Sequence, residues 1–162
     1  MSLNVGLEVE GLPEMFKRIR ALPKTAQQEL REAAMDIAED EARRIRAAAG
    51  SDSRQAAAIA PFIKARRDRV PAISAGGKRK AGVSGGAQAG QVFFGAEFGG
   101  QGRPRLVKAG AGFTEKRVTM QFRPHSGNEG YFFFPTLRED QDRMLDRYQM
   151  ALRAIEREWS RG

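Results

Sequence analysis

VFFGAEFGG at residues 92–100 and GYFFFPTL at residues 130–137 decide the reading of this chain, because eight of its ten phenylalanines lie between Phe93 and Phe134. The first run, with Gln91 before it, alternates like a strand. Gln91, Phe93, Gly95 and Glu97 fall on one face, and Val92, Phe94, Ala96 and Phe98 on the other. Both faces are largely apolar, which suits a central strand or one covered by a second subunit. The second run reads as the end of a hairpin that opens onto an amphipathic helix.

Working outward, GGQGRPRLVKAGAGF at 99–113 reads as a glycine- and arginine-rich loop. KRVTMQFRP at 116–124 alternates again, with Val118, Met120 and Phe122 inward, and HSGNEG at 125–130 is a turn. At the other end of the chain Leu3, Val5, Leu7 and Val9 alternate with Asn4, Gly6, Glu8 and Glu10, which predicts a half-buried strand.

Helices flank this β-structure. A short one is expected from about Leu12, with Pro13 in its favoured first turn and Pro23 as a break. From Thr25 to Ala49, apolar groups recur at Ala26, Leu30, Ala33, Ala34, Ile37, Ala38, Ala42, Ile45 and Ala49. Those steps of three and four make one narrow, alanine-rich stripe, which Gly50 and SDS at 51–53 should end. A further short helix is expected over 54–67, strained by Pro61. At the C-terminal end Thr136 and Glu139 form a T-x-x-E capping box. Leu137, Met144, Leu145, Tyr148, Leu152, Ile155 and Trp159 then make an apolar stripe, each large side chain worth ~2 kcal/mol if buried. The fold class expected is α+β: a small antiparallel sheet of three to four strands packed by a long N-terminal Ala-rich helix and a C-terminal amphipathic helix. One domain is expected over 1–162, with an extended, flexible, glycine-rich basic arm at about 64–90.

The chain has 162 residues, enough for one domain with a real core. It is 41% hydrophobic and 30% charged, so that core should be small for its length. It has no cysteine, which excludes disulfides and thiolate chemistry. The N-terminal MSLNVGLEVEG has neither the basic flank nor the apolar run of a signal peptide, and nothing approaches a membrane span, so a cytoplasmic origin is expected. The net charge of +8 is concentrated: residues 64–80 alone contribute +6, from Lys64, Arg66, Arg67, Arg69, Lys78, Arg79 and Lys80 against Asp68. Such a cluster can neutralise phosphates, dock on an acidic protein surface, or simply be solvated.

Catalytic patterns are thin. The single histidine, His125, adjoins Ser126 in a turn, where neighbouring side chains do not align for proton transfer. GVSGG at 82–86 fits G-x-S-x-G on paper but lies in a glycine-rich basic loop without the strand–turn–helix setting that motif requires. Glu39, Asp40 and Glu41 are consecutive on a helix and fan out around it. No cofactor, metal or catalytic residue is expected.

Three blocks carry a family resemblance. The opening GLEVEGLPEMFKRIRALPKTAQQELREAAMDIAEDEARRIRAAA at 6–49 resembles the start of tail-completion, or neck (head-tail connector), proteins of long-tailed bacteriophages, the lambda minor tail protein Z type. FFGAEFGG at 93–100 looks like that family's V-E-F-G-T type motif, carried by Glu97, Phe98 and Gly99. GYFFFPTLRED at 130–140 looks like its P-F-L-R-P-A-L segment, carried by Phe133, Phe134, Pro135, Thr136 and Leu137. The family's D-T-G-x-L-x-x-S segment has only SDSRQAAAI in its place, and the basic arm and the 100–122 insertion are longer than in simple members.

The resemblance implies a structural, non-enzymatic virion protein, made in the host cytoplasm. It implies a homo-oligomeric, sixfold ring between the head-completion (stopper) protein and the tail terminator or major tail tube protein, with double-stranded DNA in the lumen and no membrane. Subunit or partner contacts are then expected at Phe94, Glu97, Phe98, Gly99, Arg103, Arg105, Tyr131, Phe132, Phe133, Phe134 and Pro135, the aromatic ones serving as monomer core on the simpler reading. The basic arm would reach a partner or DNA phosphates. The rival expectation, from the charge alone, is a nucleic-acid-binding protein that uses residues 64–80.

Overall fold

The computed structural model describes residues 12–83, 85–100, 103–109, 113–119 and 121–160, with backbone pairing alone for the two strands at 103–109 and 113–119. The strand expected over residues 3–9 lies outside the described residues. The molecule is mostly helical α+β. Its frame is a pair of long helices: α2 (Lys24–Asp52) and α5 (Phe133–Trp159). At 1.5 Å per residue α2 is about 43 Å long. The two helices run antiparallel, since Arg44 meets Asp140, Glu41 meets Arg143, Asp40 meets Arg147 and Glu29 meets Trp159.

The sequence pattern of α2 is realised closely. Ala26, Leu30, Ala34, Ile37, Ala38, Ala42, Ile45 and Ala49 are buried, and Ala33 is half-buried. Before α2 comes α1 (Leu12–Ala21), with Pro23 as the break between them. Gly50 does not end α2. It is exposed, and one helical glycine costs only ~1 kcal/mol, so the helix runs on to Asp52. Ser53 is the stop: its backbone is extended, and its hydroxyl accepts the N–H of Ala56 to start α3 (Arg54–Ile59). The helix expected over 54–67 therefore covers only α3 and a 3-10 turn at Ala60–Phe62, where Pro61 ends it.

The β-structure differs from expectation. In place of one sheet there are two separate antiparallel pairs among the described residues. β1 (Lys64–Arg66) pairs with β2 (Ala72–Ser74) inside the supposed arm. β3 (Arg103–Ala109) pairs with β4 (Phe113–Thr119), so the expected loop at 99–113 supplies a full strand. Met120 falls outside the described residues. Phe122 lies beyond β4, its ring against Gly95 where a Cβ would meet it at 2.5 Å.

Two further corrections concern the aromatic runs. Residues 92–98 are helix, not strand: α4 spans Ala89–Phe98. Its buried residues, Ala89, Val92, Phe93, Ala96 and Glu97, recur at helical spacing. Its start is well served with acceptors. The Ala89 N–H donates to the Arg79 carbonyl at 2.8 Å and the Gly90 N–H to Gly77 at 2.9 Å, while the Gln91 side chain accepts the Gln88 N–H at 3.1 Å. Likewise Phe133 and Phe134 open α5 and do not end a hairpin. The Thr136–Glu139 capping box is not formed, because the helix begins three residues earlier and the Thr136 hydroxyl donates to the Phe132 carbonyl at 2.6 Å.

Two apolar clusters result. One joins the C-terminal half of α2, α3, Ile63, Ala81, α4, Phe132 and Phe133. The other joins Ile19, the N-terminal half of α2 and Tyr148, Leu152 and Ile155 of α5. The segment 64–90 is folded onto the first cluster, since Ala65, Ile73, Ala75, Ala81, Val83 and Ala87 all pack there. It is not an extended arm. Among the described residues no helix is long and apolar enough to cross a membrane.

Candidate functional site

The aromatic runs meet at a corner between α4 and α5, and one carboxylate joins them. Glu97 is fully buried. Its Oε2 accepts the N–H groups of Phe132 (3.1 Å) and Phe133 (2.8 Å), and its Oε1 that of Phe134 (2.9 Å). Pro135 follows and has no N–H to satisfy. The otherwise orphaned donors at the start of α5 are thus taken up by a side chain from another helix, and the anion sits at the positive end of the α5 dipole. Gly130, at φ 76°, completes the arrangement: a Cβ there would run into the Glu97 carboxylate.

The same corner fixes the end of α4. The Ser126 N–H donates to the Phe98 carbonyl at 2.9 Å, and His125 Nδ1 lies 2.9 Å from the same oxygen. Gly99 has φ 75° and lies against the carbonyls of Arg123 and Pro124, leaving no room for a side chain. Of the two residues that invited a nucleophile–base reading, both are therefore engaged at a helix C-terminus. Ser84 of the G-x-S-x-G pattern lies outside the described residues.

The candidate contact residues divide accordingly. Phe132 and Phe133 are core, packed edge-to-face on Phe93 with ring centroids 6.2 and 5.4 Å away. Glu97 and Gly99 are spent on the corner itself. Phe98 and Phe134 stack at 5.5 Å and are half-buried, as is Pro135. Phe94 is 39% exposed at the edge of this group. Tyr131 donates its hydroxyl to the Pro124 carbonyl at 2.7 Å and lies 3.6 Å beneath the Arg123 guanidinium, which also pairs with Asp52. Arg103 and Arg105 occupy β3, opposite Thr119 and Arg117 in the register. Trp159, expected to be buried, is 39% exposed and donates its indole N–H to Glu29 at 3.2 Å.

A second polar site spans the α2–α5 seam between the two apolar clusters. Glu41 is fully buried and accepts from Arg143 at 3.2 Å through Oε2, while its Oε1 has no partner among the described residues. Asp140 is held by Arg44 at 3.0 Å and lies 3.2 Å from Arg143 Nε. Arg147 donates to Asp40 at 2.8 Å. Burial, and then the neighbouring charge of Asp140, push the Glu41 carboxyl up to about 7. The Arg147 hydrogen bond holds Asp40 below the usual carboxylate range. Nothing in composition points to this seam. The signal that could have found it is spacing: Glu41 stands midway between Ile37 and Ile45 on the buried stripe, and Asp140 stands on the stripe of Leu137 and Met144.

The seven cations of residues 64–80 are all exposed. Among the described residues no group of three or more His, Asp or Glu side chains is placed to hold a metal ion. Comparison of the chain with family models, curated proteins and solved structures finds no match.

Proposed function

We propose that this protein is a structural component of the neck of a long-tailed phage, repeated as a ring that joins the filled head to the tail, and that it carries out no reaction chemistry. The observation that carries this reading is the Glu97 corner. Two of the three sequence blocks on which the resemblance rests, Glu97–Phe98–Gly99 and Phe133–Leu137, are distant in the chain yet form one device. The acid caps the second block, the glycine admits the 123–124 backbone, and the aromatic residues pack between. Residue types that look like separate motifs are thereby explained by one physical requirement, a rigid joint between two helices.

The rest of the reading follows from what is left on the surface. Phe94, the stacked Phe98–Phe134 pair and Met150, which is 60% exposed, offer apolar area to neighbouring copies or adjoining rings. The sixfold symmetry, the stopper protein and the tail terminator or tube as neighbours belong to the same proposal.

Disrupting the gene in the phage that encodes it tests the reading. The expected lysate contains DNA-filled heads and complete but unattached tails, with infectivity restored by supplying the protein in trans. Normal joined particles from the disrupted phage would overturn it. Flanking genes for a portal, a capsid protein and a tail tube are also expected.

A further inference from the structure

The chain's excess positive charge sits on a folded surface with its backbone fixed. Ala65 and Ile73 are cross-strand partners in β1–β2, and both pack on the core. Strand alternation therefore turns their neighbours Lys64 and Arg66 outward, opposite Ser74 and Ala72. The connection between the strands carries Arg67 and Arg69 and is held by the Tyr148 hydroxyl, which donates to the Arg69 carbonyl. Lys78, Arg79 and Lys80 follow, anchored because the Gly77 and Arg79 carbonyls accept the first N–H groups of α4.

These cations are little compensated. Among the described residues only Arg67 is ion-paired, to Glu32 at 3.3 Å and with both side chains more than half exposed. The single acid of the stretch, Asp68, is turned to its own backbone and accepts the Arg69 N–H at 2.7 Å. Reach is short as well. Ser74 is paired with Lys64, and four residues span at most about 14 Å. With about 5 Å across the pair, Lys64 and Lys78 lie within roughly 20 Å, less than the ~34 Å of one duplex turn.

We propose that this face binds the phosphate backbone of duplex DNA without reading its sequence. Two features choose that partner. An acidic protein partner calls for an apolar or aromatic anchor amid the charges, and residues 64–80 themselves expose no large apolar side chain. Single strands need aromatic platforms for stacking, and residues 64–80 contain none. Charge alone remains, and a regular line of phosphates is the partner recognised by charge alone. The inference is independent of the neck reading, and its test uses the purified full-length chain.

Fluorescence anisotropy with a labelled duplex of about 30 base pairs, titrated between about 50 and 200 mM salt, reads the interaction. Two unrelated sequences should bind equally, with log affinity falling steeply against log salt. Lys64→Gln, Arg66→Gln, Lys78→Gln and Lys80→Gln together should weaken binding about 10- to 100-fold and reduce the slope by roughly 3 to 4. The control Arg153→Gln with Arg157→Gln removes cations from exposed positions on α5 and should leave the slope close to that of the parent. No binding at low salt, an unchanged slope in the fourfold variant, an equal loss in the control, or preference for a single strand or a poly-glutamate peptide would each overturn the proposal. A circular-dichroism melt coincident with the parent establishes that the variants are folded.

Discussion

Glu97 ties α4 to the first turn of α5 through three hydrogen bonds from one buried side chain. Removing it by Glu97→Ala leaves three N–H groups at the start of α5 without acceptors, two of them buried and one part-buried, each worth about 1–3 kcal/mol. A loss of at least ~3 kcal/mol in denaturant unfolding is expected, enough to threaten folding at moderate temperature. Glu97→Gln keeps one carbonyl oxygen and should lose less, about 1–2 kcal/mol. Equal stability of all three proteins would contradict the capping role. Gly130→Ala tests the same point from the other side, because it forces a Cβ against the carboxylate at a positive φ. It should destabilise by more than ~1 kcal/mol, whereas Gly50→Ala, exposed on α2, should be neutral or stabilising by up to ~1 kcal/mol. Glu97, Phe98 and Gly99 were legible as a block from the resemblance. The cap was not, because its three donors lie 35 to 37 residues away and no local pattern records them.

At the scale of elements, the long helices were legible and the short ones were not. Periodicity over 29 residues in α2 overrides any single breaker, which is why its stripe could be read and Gly50 could not end it. Residues 92–98 are only seven long, and in so short an apolar run alternation and helical spacing cannot be told apart. What decides for helix is long-range: the Gly77 and Arg79 carbonyls accept at one end, and the Ser126 N–H donates to the Phe98 carbonyl at the other. The α2–α5 seam yields a pH prediction. Glu41 is raised in the fold from its ordinary 4.5 to about 7, so the folded state holds its proton more tightly than the unfolded one. The stability this contributes is complete below pH 4.5 and disappears as pH rises through about 7. Asp40, lowered by Arg147, contributes in the opposite sense, and loses its share only as pH falls through its own depressed value, outside this window. Unfolding free energy should therefore fall between pH 5 and 8 by up to roughly 3 kcal/mol, and Glu41→Gln should flatten that slope. Parallel profiles for the two proteins would contradict the assignment.

At the scale of the whole molecule, α2 threads both apolar clusters, so they should melt together even though charged residues separate them. Trp159, the only tryptophan, reports on the Glu29 end of α2, while far-ultraviolet circular dichroism reports on all the helices. The two unfolding curves should coincide, and an earlier fluorescence transition would show the clusters to be independent. The helical frame was read from the sequence, because two long amphipathic helices must bury their stripes somewhere. The sheet was misjudged, because strand pairing depends on partners that alternation does not name. The functional account rests on a rigid joint presented repeatedly around an axis. An electron-microscopy reconstruction of the neck in purified particles tests it most directly. The account predicts several copies encircling the axis between head and tail, each with antiparallel α2 and α5 and the Glu97 corner recognisable in the density. Particles that lack the protein, or that carry it away from the head–tail joint, would contradict it.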